Sequence, residues 1–479
     1  MKKHIYTLLL TITLLMFCKP VIAQDVLVDF TYLGSRTKAE LFLIFFQNVE
    51  YDIDLYKLRY ETLDVNGQLD TASGLLVLPQ VAADDSLPIV IYGHGTTSGP
   101  TDVPSQLRGG YEVAMAYGAS GFATLAPDYL GLGDARGFHP YLHAATEASA
   151  SMDMLFAGLE YLEFNDPNYD PNYLFLAGYS QGGHTSMALH KHIDDIWSII
   201  LPVTAATHMS GPYSISGVMR DRVLSDLNYG YPAYIAYIFL GFDTAYDLYD
   251  DVGEVFKEPF ATDIDSFYNG DIDLPELNSR LLASLSAGGN TIPKRMLQDS
   301  IVDALTHNPD HPLNVVLREN DTYNWAPESP TRLYYCGSDT QVPPLNSIIA
   351  DSVMNALGAD DTRALNLNPN FDHGPCVFLA IRNSIDFFKS FLNTTSLKEL
   401  DPAAGELKVY PNPSFNEVVI DWHNALDGMD YEIFNSKGQT VRKGYSTTNT
   451  ISVNELPVGL YMIICNSGNE SRLARILRQ

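Results

Sequence analysis

One stretch constrains this chain more than any other: Gly178-Tyr179-Ser180-Gln181-Gly182-Gly183-His184. Before it runs Tyr173-Leu174-Phe175-Leu176-Ala177, an apolar run of strand length. After it, Thr185 to His190 reads as a helix. A strand that turns sharply on glycines into a helix is the setting that presents a serine hydroxyl at the end of a sheet. Gly178 and Gly182 let the turn close where a Cβ would clash. Ser180 then projects from the turn, and the N-terminus of the following helix offers N–H groups to an anion. A G-x-S-x-G string alone also fits a plain Gly-rich turn; the flanking strand and helix favour a reactive serine.

The rest of the chain supplies a frame for such a turn. Ile53 to Leu63 and Ala72 to Leu78 read as strands around Val65-Asn66-Gly67-Gln68, a hairpin signal. Leu87 to Tyr92 and Gly121 to Ala126 read as buried strands, with a helix from Tyr111 to Tyr117 between them. Ala144 to Phe164 reads as a helix, Trp197 to Ala206 as a further apolar run, Arg332 to Cys336 and Ala364 to Leu367 as strands, and Asn383 to Leu392 as a closing helix. Residues 25–50 give no clear element beyond a helical stretch at Ala39 to Gln47. Short apolar strands alternating with helices predict an α/β fold, a mostly parallel sheet with helices on both faces and the leading hairpin as an antiparallel edge. Between about 217 and 329 the rhythm breaks into Tyr-, Leu- and Asp-rich helices and loops, too long for a bare loop, so it is expected to form an inserted helical cap. From about 405 to 479 a small all-β unit is expected, a β-sandwich with strands at Glu417 to Trp422, Tyr431 to Phe434, Gln439 to Lys443 and Leu460 to Cys465, and a turn at Asn435-Ser436-Lys437-Gly438.

A serine hydroxyl needs a base within hydrogen-bond reach, normally a histidine held by a carboxylate. After a strand–turn–helix serine the acid is expected next in the chain and the histidine last. Asp339, in Gly337-Ser338-Asp339-Thr340-Gln341-Val342-Pro343, follows the strand ending at Cys336. His373, in Asn370-Phe371-Asp372-His373-Gly374, lies in the loop expected after the last strand. Aspartates also stabilise loops, and Asp372 competes for the role, but a residue adjacent to His373 has difficulty reaching its Nδ1. The developing oxyanion needs donors: the N–H of Gln181 and one from the loop after Tyr92, at Gly95 or Thr96. His94 is read as structural or as shaping that loop, and His184 as packed on the helix after Ser180. His139 and His143 have i, i+4 spacing, but Pro140 follows the first and no H-E-x-x-H pattern exists, so no metal is expected.

Charge and cysteines bear on location. The formal charge is −29, and from Gly405 onward acids and bases nearly cancel, so the acidity belongs to the central stretch. Such a surface repels phosphate backbones and anionic membranes, which argues against a nucleic-acid partner. Lys2 and Lys3, the apolar run Leu8 to Phe17 and Val21-Ile22-Ala23 read as a secretory signal over 1–23, too short for a good membrane span. Cys18 follows the bulky Phe17, a poor fit to lipid attachment. The exported chain would keep Cys336, Cys376 and Cys465. Cys336 lies close to Asp339 and Cys376 close to His373, so a disulfide between the two would tether the acid loop to the base loop; two separate buried thiols are the alternative.

Tyr92-Gly93-His94-Gly95-Thr96, Pro127-Asp128-Tyr129-Leu130-Gly131-Leu132-Gly133, the Ser180 stretch and Cys336 to Pro343 together resemble the α/β-hydrolases related to secretory lipases, over roughly residues 50–395. The resemblance implies carboxylic ester hydrolysis with Ser180, Asp339 and His373 as a triad, an acyl-enzyme intermediate, a small-molecule or lipid ester substrate and no cofactor. It also implies that Asp128 lies near the oxyanion site. The tail resembles the C-terminal sorting domain of the type IX secretion system through Val409-Tyr410-Pro411-Asn412-Pro413, Pro457-Val458-Gly459-Leu460-Tyr461 and the basic end with Arg472, Arg475 and Arg478. That implies handling by the secretion machinery and a secreted or cell-surface protein, with no membrane span in the mature chain. The expected layout is a signal at 1–23, a catalytic domain at 24–400 and a sorting domain at 405–479. A serine peptidase of the same fold and a non-catalytic surface-binding protein are the other readings. Tyr229, Tyr231, Tyr234, Tyr237, Phe239 and Phe242 either line an acyl pocket or form the cap's own core.

Overall fold

The computed structural model describes residues 26–45, 49–82, 87–165, 169–199, 201–392, 407–412, 414–422, 428–435, 440–457, 459–467 and 470–478. The expected signal segment, Cys18 and the turn at 436–438 lie outside them. The described residues form two compact units, one within Val26–Ser396 and one within Leu397–Gln479.

The larger unit is built on a nine-stranded sheet. Its strands are β1 (Leu27–Arg36), β2 (Ile53–Leu63), β3 (Leu69–Pro79), β4 (Leu87–Gly93), β5 (Ala123–Pro127), β6 (Tyr169–Tyr179), β7 (Val203–Met209), β8 (Thr331–Cys336) and β9 (Thr362–Asn368). Their order is β1-β2-β3-β5-β4-β6-β7-β8-β9. The strands from β5 to β9 run parallel; β1, β2 and β3 are antiparallel to their neighbours, and β3 meets β5 antiparallel. Every residue of β4 is buried, as a central strand covered by helices on both faces requires. One face packs into an aromatic core that includes Tyr117, Phe122, Phe175 and Phe388. Phe175 and Phe388 stack at 4.6 Å between centroids.

Two elements differ from the sequence reading. The antiparallel edge is β1, not the β2–β3 hairpin, which lies inside it. β1 is largely exposed and carries Phe30 edge-on against Tyr161. The last helix starts at His373 rather than near Asn383 and runs His373–Leu392. Asp372 makes that early start possible, because its carboxylate accepts the His373 N–H at 2.8 Å and so satisfies a helix-end donor.

Between β7 and β8 lies the cap, with α-helices from Arg220–Leu224 to Pro312–Glu319. It has a core of its own, centred on residues such as Ile264, Leu277, Leu281, Phe242 and Met296, and Tyr141 from the loop after β5 joins it. Tyr141 stacks on Tyr237 at 4.3 Å, and the Leu274 N–H bonds to the Ser98 carbonyl, so the cap is fastened to the loops beyond β4 and β5.

The smaller unit contains β10 (Lys408–Tyr410), β11 (Glu417–Asp421), β12 (Met429–Phe434), β13 (Thr440–Ser446), β14 (Thr450–Ser452), β15 (Gly459–Ser467) and β16 (Glu470–Arg478). They form two antiparallel sheets, β10-β11-β14 and β13-β12-β15-β16. Val418 and Ile420 of one sheet share a core with Ile433, Tyr461, Ile463 and Ile476 of the other, so two sheets face each other as a small sandwich.

Candidate active site

β6 ends at Tyr179 and a helix, Gln181–Ile196, begins immediately after Ser180. Ser180 has φ 59° and ψ −122°, a conformation costly for a residue with a Cβ. The turn is held by close backbone approach: a Cβ on Gly178 would lie 1.8 Å from the Gly182 carbonyl oxygen, and one on Gly182 1.8 Å from that of Gly93. The Ser180 N–H bonds to the Met209 carbonyl at 2.9 Å, fixing the elbow to β7.

His373 Nε2 lies 2.9 Å from Ser180 Oγ, and His373 Nδ1 lies 2.6 Å from Asp339 Oδ2. All three residues are buried, at 6–8% exposure. Asp339 is oriented by its other oxygen, Oδ1, which accepts the N–H groups of Gln341 (3.0 Å) and Val342 (2.8 Å). The Nδ1–H must then donate to Oδ2, which leaves Nε2 free to accept the serine proton. Tyr179 OH donates to the His373 carbonyl at 2.6 Å, so the residue before Ser180 also anchors His373. Asp372 faces away from the ring and serves backbone: it accepts the N–H of Thr340 and of His373. Burial pulls its pKa upward, but these hydrogen bonds outweigh burial and leave it below the usual carboxylate range. Cys336 and Cys376 form a disulfide, Cα–Cα 5.9 Å.

Gln181 is the first residue of its helix, so its N–H has no partner within the helix. Gly95 lies beside the elbow, where a Cβ would sit 3.7 Å from Ser180 Cβ. The Thr96 hydroxyl pairs with Tyr141 OH at 2.6 Å. His94 is fully buried, with Nδ1 2.8 Å from the Gly95 carbonyl, and its ring stacks on Tyr129 at 4.2 Å. Burial lowers its pKa, so the ring is neutral and shapes the loop. Asp128 touches this loop through its backbone: its carbonyl lies 3.3 Å from His94 Nε2. Its carboxylate instead takes Ser73 Oγ at 2.6 Å and the Ser105 N–H at 3.0 Å, and burial raises its pKa. Of the six cap aromatics, Tyr237 lines a cleft of about 640 Å³ together with Phe138, His139 and Phe267, whereas Tyr229 and Phe242 pack into the cap core.

The larger unit, with Ser180 after β6, Asp339 after β8 and His373 after β9, is similar in fold to several solved structures. A "putative hydrolase" of Legionella pneumophila superposes with TM-score 0.71 at 26% identity, covering 78% of this chain and 100% of that one. The rice cell wall degrading esterase LipA of Xanthomonas oryzae gives 0.65 at 24% identity, covering 78% and 98%. Candida antarctica lipase A in its closed state gives 0.57 at 13% identity, covering 79% and 84%. The larger unit has the α/β-hydrolase fold. Residues 408–479 match the family model of the secretion system C-terminal sorting domain. No curated protein sequence matches the chain. Within the α/β-hydrolase unit, no helix among the described residues is long and apolar enough to cross a membrane.

One part of the α/β-hydrolase site has no counterpart in the sequence reading. Glu147, on the helix Ala144–Asn165, is 1% exposed and reaches the first turn of the Ser180 helix. Its Oε1 accepts from Gln181 Nε2 at 3.0 Å and its Oε2 lies 2.6 Å from His184 Nδ1. His139, also buried, receives Gln181 Nε2 on its own Nε2 at 2.7 Å while its Nδ1 bonds the Leu130 carbonyl at 2.7 Å. The available signal was a carboxylate among the apolar positions of a helix, where an acid is rarely buried without a partner.

Proposed function

We propose that this protein is a secreted serine hydrolase that cleaves carboxylic esters. The reading rests on one observation, the unbroken hydrogen-bonded chain Asp339–His373–Ser180 at the elbow. In the mechanism, Ser180 Oγ attacks the acyl carbon while His373 Nε2 takes its proton. The carbonyl electrons move onto oxygen, which the N–H of Gln181 and the N–H of Gly95 or Thr96 receive. His373 then returns the proton to the departing alcohol, leaving an acyl-enzyme. Water attacks it with the same base, and the acid leaves with Ser180 restored. Asp339 keeps the imidazole in the required tautomer and stabilises its charged form. No cofactor enters these steps. The match of residues 408–479 to a sorting domain supports export by the type IX system and a secreted or cell-surface location, with residues 1–23 as the signal and 24–400 as the catalytic part.

The test is hydrolysis of p-nitrophenyl esters from acetyl to palmitoyl, beside matched p-nitroanilides, by the full chain and its Ser180→Ala variant. Ester cleavage abolished by the substitution is expected, with the preferred acyl length measuring the space open to the acyl chain. Cleavage confined to anilides would make the protein a peptidase. Turnover of neither would favour a binding role.

A further inference from the structure

We propose that Glu147 and His184 form a positioning pair that sets the oxyanion donor of Gln181 and locks it to the segment where the cap rejoins the sheet. This inference rests on the hydrolase reading above. The single carboxylate of Glu147 holds two residues of one helical turn, Gln181 and His184, the first and fourth residues after the nucleophile. Each has a second partner besides Glu147. Gln181 Nε2 has two hydrogens, and these go to Glu147 Oε1 and His139 Nε2. His139 can accept because its Nδ1–H is committed to the Leu130 carbonyl, and because burial brings its pKa down to about 4 and keeps the ring neutral. His184 Nδ1 lies 2.6 Å from Glu147 Oε2, and its Nε2 donates to the Asn320 carbonyl at 2.9 Å.

Asn320 closes the circuit. It ends the last cap helix, Pro312–Glu319. Its Oδ1 accepts the N–H of Ala144, at the start of the helix that carries Glu147, and its Nδ2 donates to Tyr246 OH on the cap helix Pro232–Tyr246. Oxyanion donors work only when held where charge develops, and a buried hydrogen-bonded network resists the small rotations that would misplace one. A dry, apolar packing of the same turn would hold the helix but would not fix the rotation of Gln181 about its own axis. None of these side chains reaches Ser180 Oγ or the acyl carbon, so their effect passes through the Gln181 N–H.

The experiment uses the full chain and two near-isosteric variants, Glu147→Gln and Gln181→Met, the second keeping the backbone N–H. Three quantities are read: kcat and KM on p-nitrophenyl butyrate, the affinity of an alkyl trifluoromethyl ketone that forms a tetrahedral adduct, and amide hydrogen exchange across residues 180–185. Loss of an oxyanion donor costs about a hundred- to a thousand-fold in rate, so a misplaced one is expected to cost about ten- to a hundred-fold in kcat. KM should change less than about threefold, and ketone affinity should fall in step with kcat/KM. Exchange at Gln181 to His184 should quicken in both variants. Unchanged kcat and unchanged exchange in a folded Gln181→Met protein would overturn the proposal. If the wild type cleaves no ester, the hydrolase reading fails, and exchange alone decides whether Glu147 positions the turn.

Discussion

The disulfide joins Cys336, at the end of β8, to Cys376, in the first turn of the helix that begins at His373, with their Cα atoms 5.9 Å apart. Asp339 and His373, the acid and base of the proposed triad, therefore sit on segments that are covalently linked within a few residues of their hydrogen bond. The loop so closed spans a sequence separation of 40, for which chain-entropy arguments give about 3–4 kcal/mol. The paired substitution of both cysteines by alanine is expected to lower unfolding free energy by that amount in urea titrations, and to reduce kcat on a p-nitrophenyl ester more than it changes KM. A variant with full kcat and reduced stability would restrict the bond to a structural role.

Asp339 and Asp372 lie on either side of the same histidine, yet only Asp339 meets the ring. Asp339→Asn should leave the geometry nearly intact but favour the wrong tautomer, lowering kcat by about ten-thousand-fold, as such a change does in other triads. Asp372→Ala removes the oxygen that accepts the Thr340 and His373 N–H groups. It is expected to cost stability of about 1–2 kcal/mol and less than about tenfold in kcat. Steady-state kinetics of the two variants side by side reads the difference; a larger loss for Asp372 would reverse the assignment.

Much of this was legible because elbow chemistry is local. The residues that make the turn, Gly178 and Gly182, lie two positions either side of the residue they expose, and the buried strands are continuous apolar runs. The unread parts depend on contacts far along the chain. β1 alternates over Val28-Asp29-Phe30-Thr31-Tyr32, but it is a half-exposed edge whose rings lie on Tyr56 and Tyr161, so its pattern carries little burial signal. The helix start at His373 depends on Asp372 doubling as a cap and as an acceptor for Thr340, which residue spacing does not announce. Glu147 is visible only once its helix is placed beside Gln181 and His184. The Asp128 carbonyl lies 3.3 Å from His94 Nε2, but its carboxylate is spent on Ser73 and Ser105, far along the chain.

The elbow itself should tolerate no side chain at its second glycine. A Cβ on Gly182 would come within 1.8 Å of the Gly93 carbonyl oxygen, and backbone on both sides leaves nothing flexible to move. Gly182→Ala is expected to destabilise the α/β-hydrolase unit by about 3 kcal/mol or more, with loss of soluble expression or of activity together. Thermal melting of whatever soluble protein is recovered checks it. A variant as stable as the wild type would mean that the helix after Ser180 can back away from β4.

Acid should weaken the fold through histidines buried as neutral rings. His190 is fully buried, with Nδ1 3.2 Å from His208 Nε2 and Nε2 2.9 Å from Ser329 Oγ. Asp194 Oδ2 stands 3.7 Å from Nε2, too far to keep a proton on the ring against burial, and burial brings the His190 pKa down to about 3. In the unfolded chain a histidine titrates near about 6.5. The folded value is the lower one, so the stabilisation is complete above about pH 6.5. It is lost as the pH falls toward 3, because the unfolded chain then binds a proton that the native state refuses. The slope is about 1.4 kcal/mol per pH unit. His139 and His143, each lowered to about 4 by burial, act in the same direction, and Asp194, raised to about 6 by burial, opposes them below that pH. Urea titrations at pH 7, 6 and 5 should show wild-type stability falling more steeply than that of His190→Asn, by up to about 1.4 kcal/mol per unit. Parallel slopes would mean that the native ring takes up the proton, with Asp194 moving in to receive it.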